Sequence, residues 1–91
     1  MITVKNEQEL KETVMSDRDR YIGEMLIDEY GFKYLVVDLN NEGVKILSMN
    51  LLVKYKNRKK YLEDARFPTH FLDRALKNIE LFEREINQSY A

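Results

Sequence analysis

Ninety-one residues suffice for one domain, and 15 Lys and Arg stand against 16 Asp and Glu for a net charge of −1. That balance supplies no global attraction to nucleic acid or to a membrane surface. With no cysteine and a single histidine, His70, the sequence excludes disulfides, thiol nucleophiles, iron–sulfur clusters and cysteine-held zinc, and it leaves no histidine metal cage or classical triad to assemble.

"ITV" followed by "KNEQELKETVM" reads as a short strand running into a helix. Asn6 suits the N-cap, and Glu9 stands three residues later, where its side chain reaches back to the cap amide. Leu10 and Val14, one turn apart, form the expected buried edge. The opening "MITVKNEQEL" lacks the basic start and apolar run of a signal peptide, and no apolar run approaches the roughly 18 residues that span a bilayer. A cytoplasmic setting without membrane contact is therefore expected. "SDRDR" (16–20) is polar and is expected to end the helix.

The stretch "YIGEMLIDEYGFKYLVVDLNNEGVKILSMNLLV" is rich in Ile, Val, Leu, Tyr and Phe, with turn signals at Tyr30-Gly31 and Asn40-Asn41-Glu42-Gly43. It predicts a meander of three strands, about 20–29, 32–39 and 44–53. Turns this short make neighbouring strands antiparallel. Gly43 suits a positive φ in the second turn, and Gly23, inside a strand pattern, marks a bulge or a close backbone approach. In the third strand Leu47, Met49, Leu51, Val53 and Tyr55 fall on one face, although Ile46 and Leu52 interrupt the polar face opposite. A competing helical spacing joins Leu52, Tyr55, Lys59 and Leu62 and would start a helix near Asn50 or Arg58. Beyond residue 54 a helical turn or loop is expected through "RKKYLEDARF".

Phe67-Pro68-Thr69 is a boundary, with Thr69 as the expected cap. From His70 to about Gln88, Leu72, Leu76, Ile79 and Ile86, widened by Phe71, Ala75 and Phe82, form one apolar stripe. Leu81 points away from it and Glu83 falls at its edge, so the far end of the helix is expected to leave the core. The predicted order is β-α-β-β-β-α. This is a single small α+β domain over 1–91, with a three- to four-stranded, mainly antiparallel sheet, helices packed on one face, and a long C-terminal amphipathic helix.

Charge concentrates in one place. Residues 1–19 and 20–53 each carry −2, residues 54–66 carry +4, and residues 67–91 carry −1. Within the basic block, "KYKNRKKY" brings Lys54, Tyr55, Lys56, Arg58, Lys59, Lys60 and Tyr61 together. Cations displace counterions from phosphates and tyrosines stack on unpaired bases, so these residues are the candidate binding strip. Against this, lysines also guard sheet edges, and Lys59–Glu63 and Lys60–Asp64 are spaced to neutralise one another on a helix.

Catalytic signals are absent. Asp38, Glu42 and Lys45 lack the Glu-x-Lys spacing that metal-dependent nucleases place on the strand after their aspartate. Asp28-Glu29 lies at a turn and is expected to be solvated. The three glycines, at 23, 31 and 43, are isolated and form no phosphate-cradling loop. Nothing implies a cofactor, and no residue is assigned to catalysis, a cofactor or a metal.

Six tyrosines and four phenylalanines exceed what so small a core must bury, and tyrosine is enriched in protein interfaces. The expected function is a non-enzymatic protein-binding module, a small regulator or inhibitor that occupies a partner protein's surface, with self-association within the same reading. A nucleic-acid-binding accessory protein using residues 54–60 is the alternative. The absence of Cys and Trp together with abundant Lys, Glu, Asn, Ile and Tyr suits a bacterial or phage protein.

Overall fold

A computed structural model describes residues 2–3, 7–14, 17–40 and 43–89. In chain order its elements are β1 (Ile2–Thr3), α1 (Glu7–Val14), α2 (Arg18–Tyr21), β2 (Met25–Ile27), β3 (Lys33–Asn40), β4 (Gly43–Ser48), α3 (Met49–Leu52), α4 (Arg58–Asp64) and α5 (Leu72–Ser89). The body of this small α+β fold is the antiparallel meander β2-β3-β4 together with the C-terminal helix α5. Two residues of β1 pair in parallel with β2 at the sheet's edge. The expected β-α-β-β-β-α order omits α2, α3 and α4. Asn6, the expected first cap, lies outside the described residues, as do the side chains of Leu10 and Val14.

The first meander strand is shorter than its hydrophobicity implies. Asp17 caps α2, its carboxylate accepting from the Arg20 amide at 3.4 Å, so "SDRDR" starts a helical turn; Ser16, and with it the expected end of the first helix, lies outside the described residues. Ile22 then takes φ −63° and ψ 125°, Gly23 takes φ +86°, and the Glu24 amide donates to the Tyr21 carbonyl. These are the angles of a type II turn, whose third position demands φ > 0. The Gly23 amide donates to the Val36 carbonyl while the Val36 amide donates to the Glu24 carbonyl, so two residues oppose one. The expected bulge is there, of the glycine-led kind. So is the close approach: a Cβ on Gly23 would stand 3.3 Å from the Phe71 carbonyl oxygen.

The third strand stops at Ser48, short of the expected 53; α3 follows at once and α4 starts at Arg58, and the connection between them, which holds Tyr55, interrupts the helical spacing that joined Leu52 to Leu62. Met49 and Leu52 are fully buried while Leu51 is 45% exposed, a spacing of three that only a helical turn provides. Leu52, which breaks the alternation in the sequence, was the sign of that switch. Helix α4 follows within the expected "RKKYLEDARF", its cap Asn57 accepting from the Lys60 amide at 3.0 Å.

Pairing register assigns the faces. Met25 opposes Leu35, Ile27 opposes Lys33 and Leu35 opposes Leu47, so these residues share one face. Lys33 pairs with Glu85, which places that face beneath α5. Leu26 and Val36 point the other way by the same register and are equally buried, so cover on one face alone, as expected from sequence, does not describe this sheet. Helix α5 supplies Leu72, Ala75, Ile79 and Phe82 to the core as its stripe predicts. Thr69 is not its cap. Thr69–Phe71 form a 3₁₀ turn that leads into it. Glu83 does not carry the helix out of the core either, because it pairs with Arg58 of α4. The α5 N-terminal half is tied to the turn before β2 by Arg74, whose Nη1 donates to the carbonyls of Asp19, Arg20 and Ile22 at 2.9, 3.1 and 2.9 Å. Those carbonyls lie at the end of α2, where a cation is favoured.

Candidate functional site

The basic stretch splits between a loop and the start of α4. Lys54, Tyr55 and Lys56 lie in the connection after α3, and Arg58, Lys59 and Lys60 form the first turn of α4. Arg58 is turned inward. Its guanidinium pairs with Glu83 and donates from Nη2 to the Val53 carbonyl at 2.9 Å, and its side chain is 21% exposed. That bond holds the Glu83 carboxyl below its ordinary range. Lys54, Lys56, Lys59 and Lys60 remain exposed. Tyr55 and Tyr61 stack on each other, with centroids 4.1 Å apart, and the Tyr55 hydroxyl bond keeps the Tyr61 phenol above its ordinary value. The structure therefore leaves four lysines, not a strip of five cations and two free rings, on the solvent side.

Among the described residues the β2–β3 connection presents the most exposed aromatics. Tyr30 is 78% and Phe32 54% exposed. Asp28 organises this turn. Its Oδ1 accepts from the amides of Tyr30 and Phe32, each at 2.9 Å, and its Oδ2 accepts from the Tyr34 hydroxyl at 3.0 Å. The bond raises the Tyr34 phenol above its ordinary value. Asp28 is thus a structural acceptor and not the solvated turn residue expected from sequence. Gly31, at φ +86°, closes the turn. Leu81 is exposed on the outer side of α5; of the remaining tyrosines, Tyr21, Tyr34 and Tyr61 are half-buried, and Tyr90 lies outside the described residues. His70 is exposed and meets Phe71 edge to face at 5.0 Å.

A groove of about 510 Å³ opens between the β3–β4 face and the end of α4. Sequence reasoning missed it. Asp38 opposes Lys45 across the strands, whereas Leu35 opposes Leu47, so an extra residue, Val37, is accommodated in β3. Lys45 and Leu47 share a face, and the bulge brings Asp38 round to that same face. Arg18 reaches Asp38 at 3.6 Å. Opposite them α4 ends at Arg66, a non-glycine residue at φ +63°. The Arg66 amide donates to the Glu63 carbonyl and the Phe67 amide to the Leu62 carbonyl, a Schellman ending in which glycine normally takes the left-handed position. The signal for Asp38 and Lys45 was present in the sequence, since both stand equally far from the "NNEG" turn. Glu42, weighed together with Asp38 and Lys45 from the sequence, lies outside the described residues. Among the described residues no group of three His, Cys, Asp or Glu side chains could hold a metal ion, and no helix is long and apolar enough to cross a membrane.

No protein-family model, curated protein or solved structure matches this chain.

Proposed function

We propose that this protein is a non-enzymatic binding module that occupies another protein's surface through its β2–β3 hairpin tip. One observation carries the reading: among the described residues Tyr30 and Phe32 are the most exposed of the large hydrophobic side chains, and Asp28 bonds hold the turn that bears them. Aromatic anchors supply much of the energy of protein interfaces. A turn already held in one shape loses little entropy on docking. Exposed Glu29 immediately precedes Tyr30 in the same turn, so the matching partner offers an apolar cleft edged by cations. Regulation or inhibition follows from occupancy of that cleft, without chemistry.

The test is affinity capture from lysate after nuclease treatment, comparing the natural chain with Tyr30→Ser/Phe32→Ser. Capture of the same protein by the natural chain, lost in the double variant, supports the reading. Retention by the variant removes it. Sedimentation equilibrium of the purified chain separates self-association through the tip, which the same variant abolishes.

The second reading, contact with nucleic acid, now rests on the four exposed lysines 54, 56, 59 and 60. Four phosphate contacts give a log–log salt slope of about −3 to −4, and stacking on bases is limited to the outer faces of the Tyr55–Tyr61 pair. A flat salt response would exclude it.

A further inference from the structure

We infer that the groove between β4 and α4 is a binding site for a small amphipathic anion: an apolar or aromatic body bearing one acidic head. The site is independent of the hairpin tip. Its volume of about 510 Å³ lies in the range of small-molecule pockets. Its inner wall is apolar, with half-buried Val37 and Leu47 on the sheet side and Leu62 and Phe67 on the helix side. Its rim carries Arg18, Lys45 and Arg66 against the single carboxylate of Asp38. Arg18 already pairs with Asp38 at 3.6 Å, and Lys45 opposes Asp38 across the strands. Among the described residues neither Lys45 nor Arg66 has an ion-pair or side-chain hydrogen-bond partner, and of these two cations Arg66 stands on the helix side beside Phe67.

Backbone geometry points the same way. The position after a helix end favours glycine because a Cβ there crowds the backbone. The chain puts arginine in that position, at φ +63°. Strain of this kind concentrates at binding sites, where a side chain is held against local preference. A guanidinium gives an acidic head a planar pair of donors, and the apolar wall beside it accounts for a body attached to that head.

The strain makes the test clean. Arg66→Gly removes the helix-side cation and relaxes the backbone, so stability and binding are expected to move in opposite directions. The probe is 1-anilinonaphthalene-8-sulfonate, an aromatic body with one anionic group. Its neutral counterpart is N-phenyl-1-naphthylamine, and inorganic phosphate serves as the head alone. Amide chemical shifts locate the probe and fluorescence measures its affinity.

The expected result is saturable binding at one site, with shift changes at Val37, Leu47 and Phe67. Arg66→Gly weakens it about tenfold or more while raising the thermal midpoint by a few degrees. Arg66→Lys, which keeps the charge but not the planar pair of donors, falls between the natural chain and Arg66→Gly, and Lys59→Ala, outside the groove, changes nothing. The neutral analogue and phosphate alone each bind at least about tenfold more weakly. The inference is overturned if Arg66→Gly binds the probe as tightly as the natural chain. It is equally overturned if the neutral analogue or phosphate binds as well as the sulfonate, or if the shifts fall at the hairpin tip instead of the groove.

Discussion

Tyr55 and Tyr61, at the two ends of the basic stretch, stack on each other with their planes 17° apart. The loop between them is therefore closed by an aromatic clasp, and the inner faces of both rings are occupied. Such pairs contribute about 0.5–1.5 kcal/mol beyond area burial. Tyr55→Ala is expected to destabilise the chain by about that amount. It should also return the Tyr61 phenol toward its ordinary value, because the raising bond comes chiefly from the Tyr55 hydroxyl. Ultraviolet titration of tyrosinate absorbance reads this, and an unmoved Tyr61 would remove the clasp as the cause. The folded value is the raised one, so this contribution is present below the unfolded phenol value and is lost as pH rises through the folded one.

Gly23 and Gly31 share a φ of +86° but differ in surroundings: a Cβ on Gly23 meets the Phe71 carbonyl oxygen and the Arg74 side chain, whereas one on Gly31 meets nothing within 4 Å. Gly31→Ala therefore isolates the backbone term, about 1–2 kcal/mol. Gly23→Ala adds the displacement of α5 from the turn, for a total of about 2–4 kcal/mol. Urea denaturation of both variants checks the order. Equal losses would mean that α5 does not bear on the turn.

Within the basic stretch the cations are not equivalent. Arg58→Ala removes the donor to the Val53 carbonyl and is expected to destabilise by about 1 kcal/mol. Lys59→Ala and Lys60→Ala, both exposed, stay within about 0.5 kcal/mol of the natural chain. Glu83 titrates below its ordinary range because of Arg58. Its stabilising contribution is thus present above the unfolded carboxyl value and is lost as pH falls through the lowered folded one. Urea midpoints measured against pH should fall less steeply on the acid side in Glu83→Gln. An unchanged acid limb would contradict the pairing.

Asp28 holds the hairpin tip through three acceptor contacts. Asp28→Ala leaves the Tyr30 and Phe32 amides without that acceptor and is expected to destabilise by about 1–2 kcal/mol. Asp28→Asn keeps an Oδ1 acceptor and recovers most of that. Both variants lower the Tyr34 phenol toward its ordinary value, which removes its share of the stability lost at alkaline pH. Hydrogen exchange at the Tyr30 and Phe32 amides should quicken in the alanine variant alone.

Much of this architecture is written in local pattern. The apolar stripe from Leu72 to Ile86, the turn at Tyr30-Gly31, and the short turns that force antiparallel pairing each act within a few residues of themselves, so they are legible in one dimension. The end of the third strand was less so, because Met49, Leu51 and Leu52 suit alternation and helical spacing over so short a run. Burial decided between them: Leu52 is enclosed and Leu51 is not.

The candidate sites followed the same division. Sequence by itself determined where positive charge and surplus aromatics lie along the chain, and it placed the β2–β3 turn at Tyr30 and Gly31. Tertiary structure alone decided what those groups do, since that depends on partners far away in the chain. Glu83 drew Arg58 inward, Asp28 made the hairpin tip a rigid platform, and a bulge at Val37 turned Asp38 toward Lys45 and Arg18. Periodicity and composition report a residue's neighbours along the chain, whereas charge, strain and exposure at a site are set by which distant groups the packed core brings alongside it.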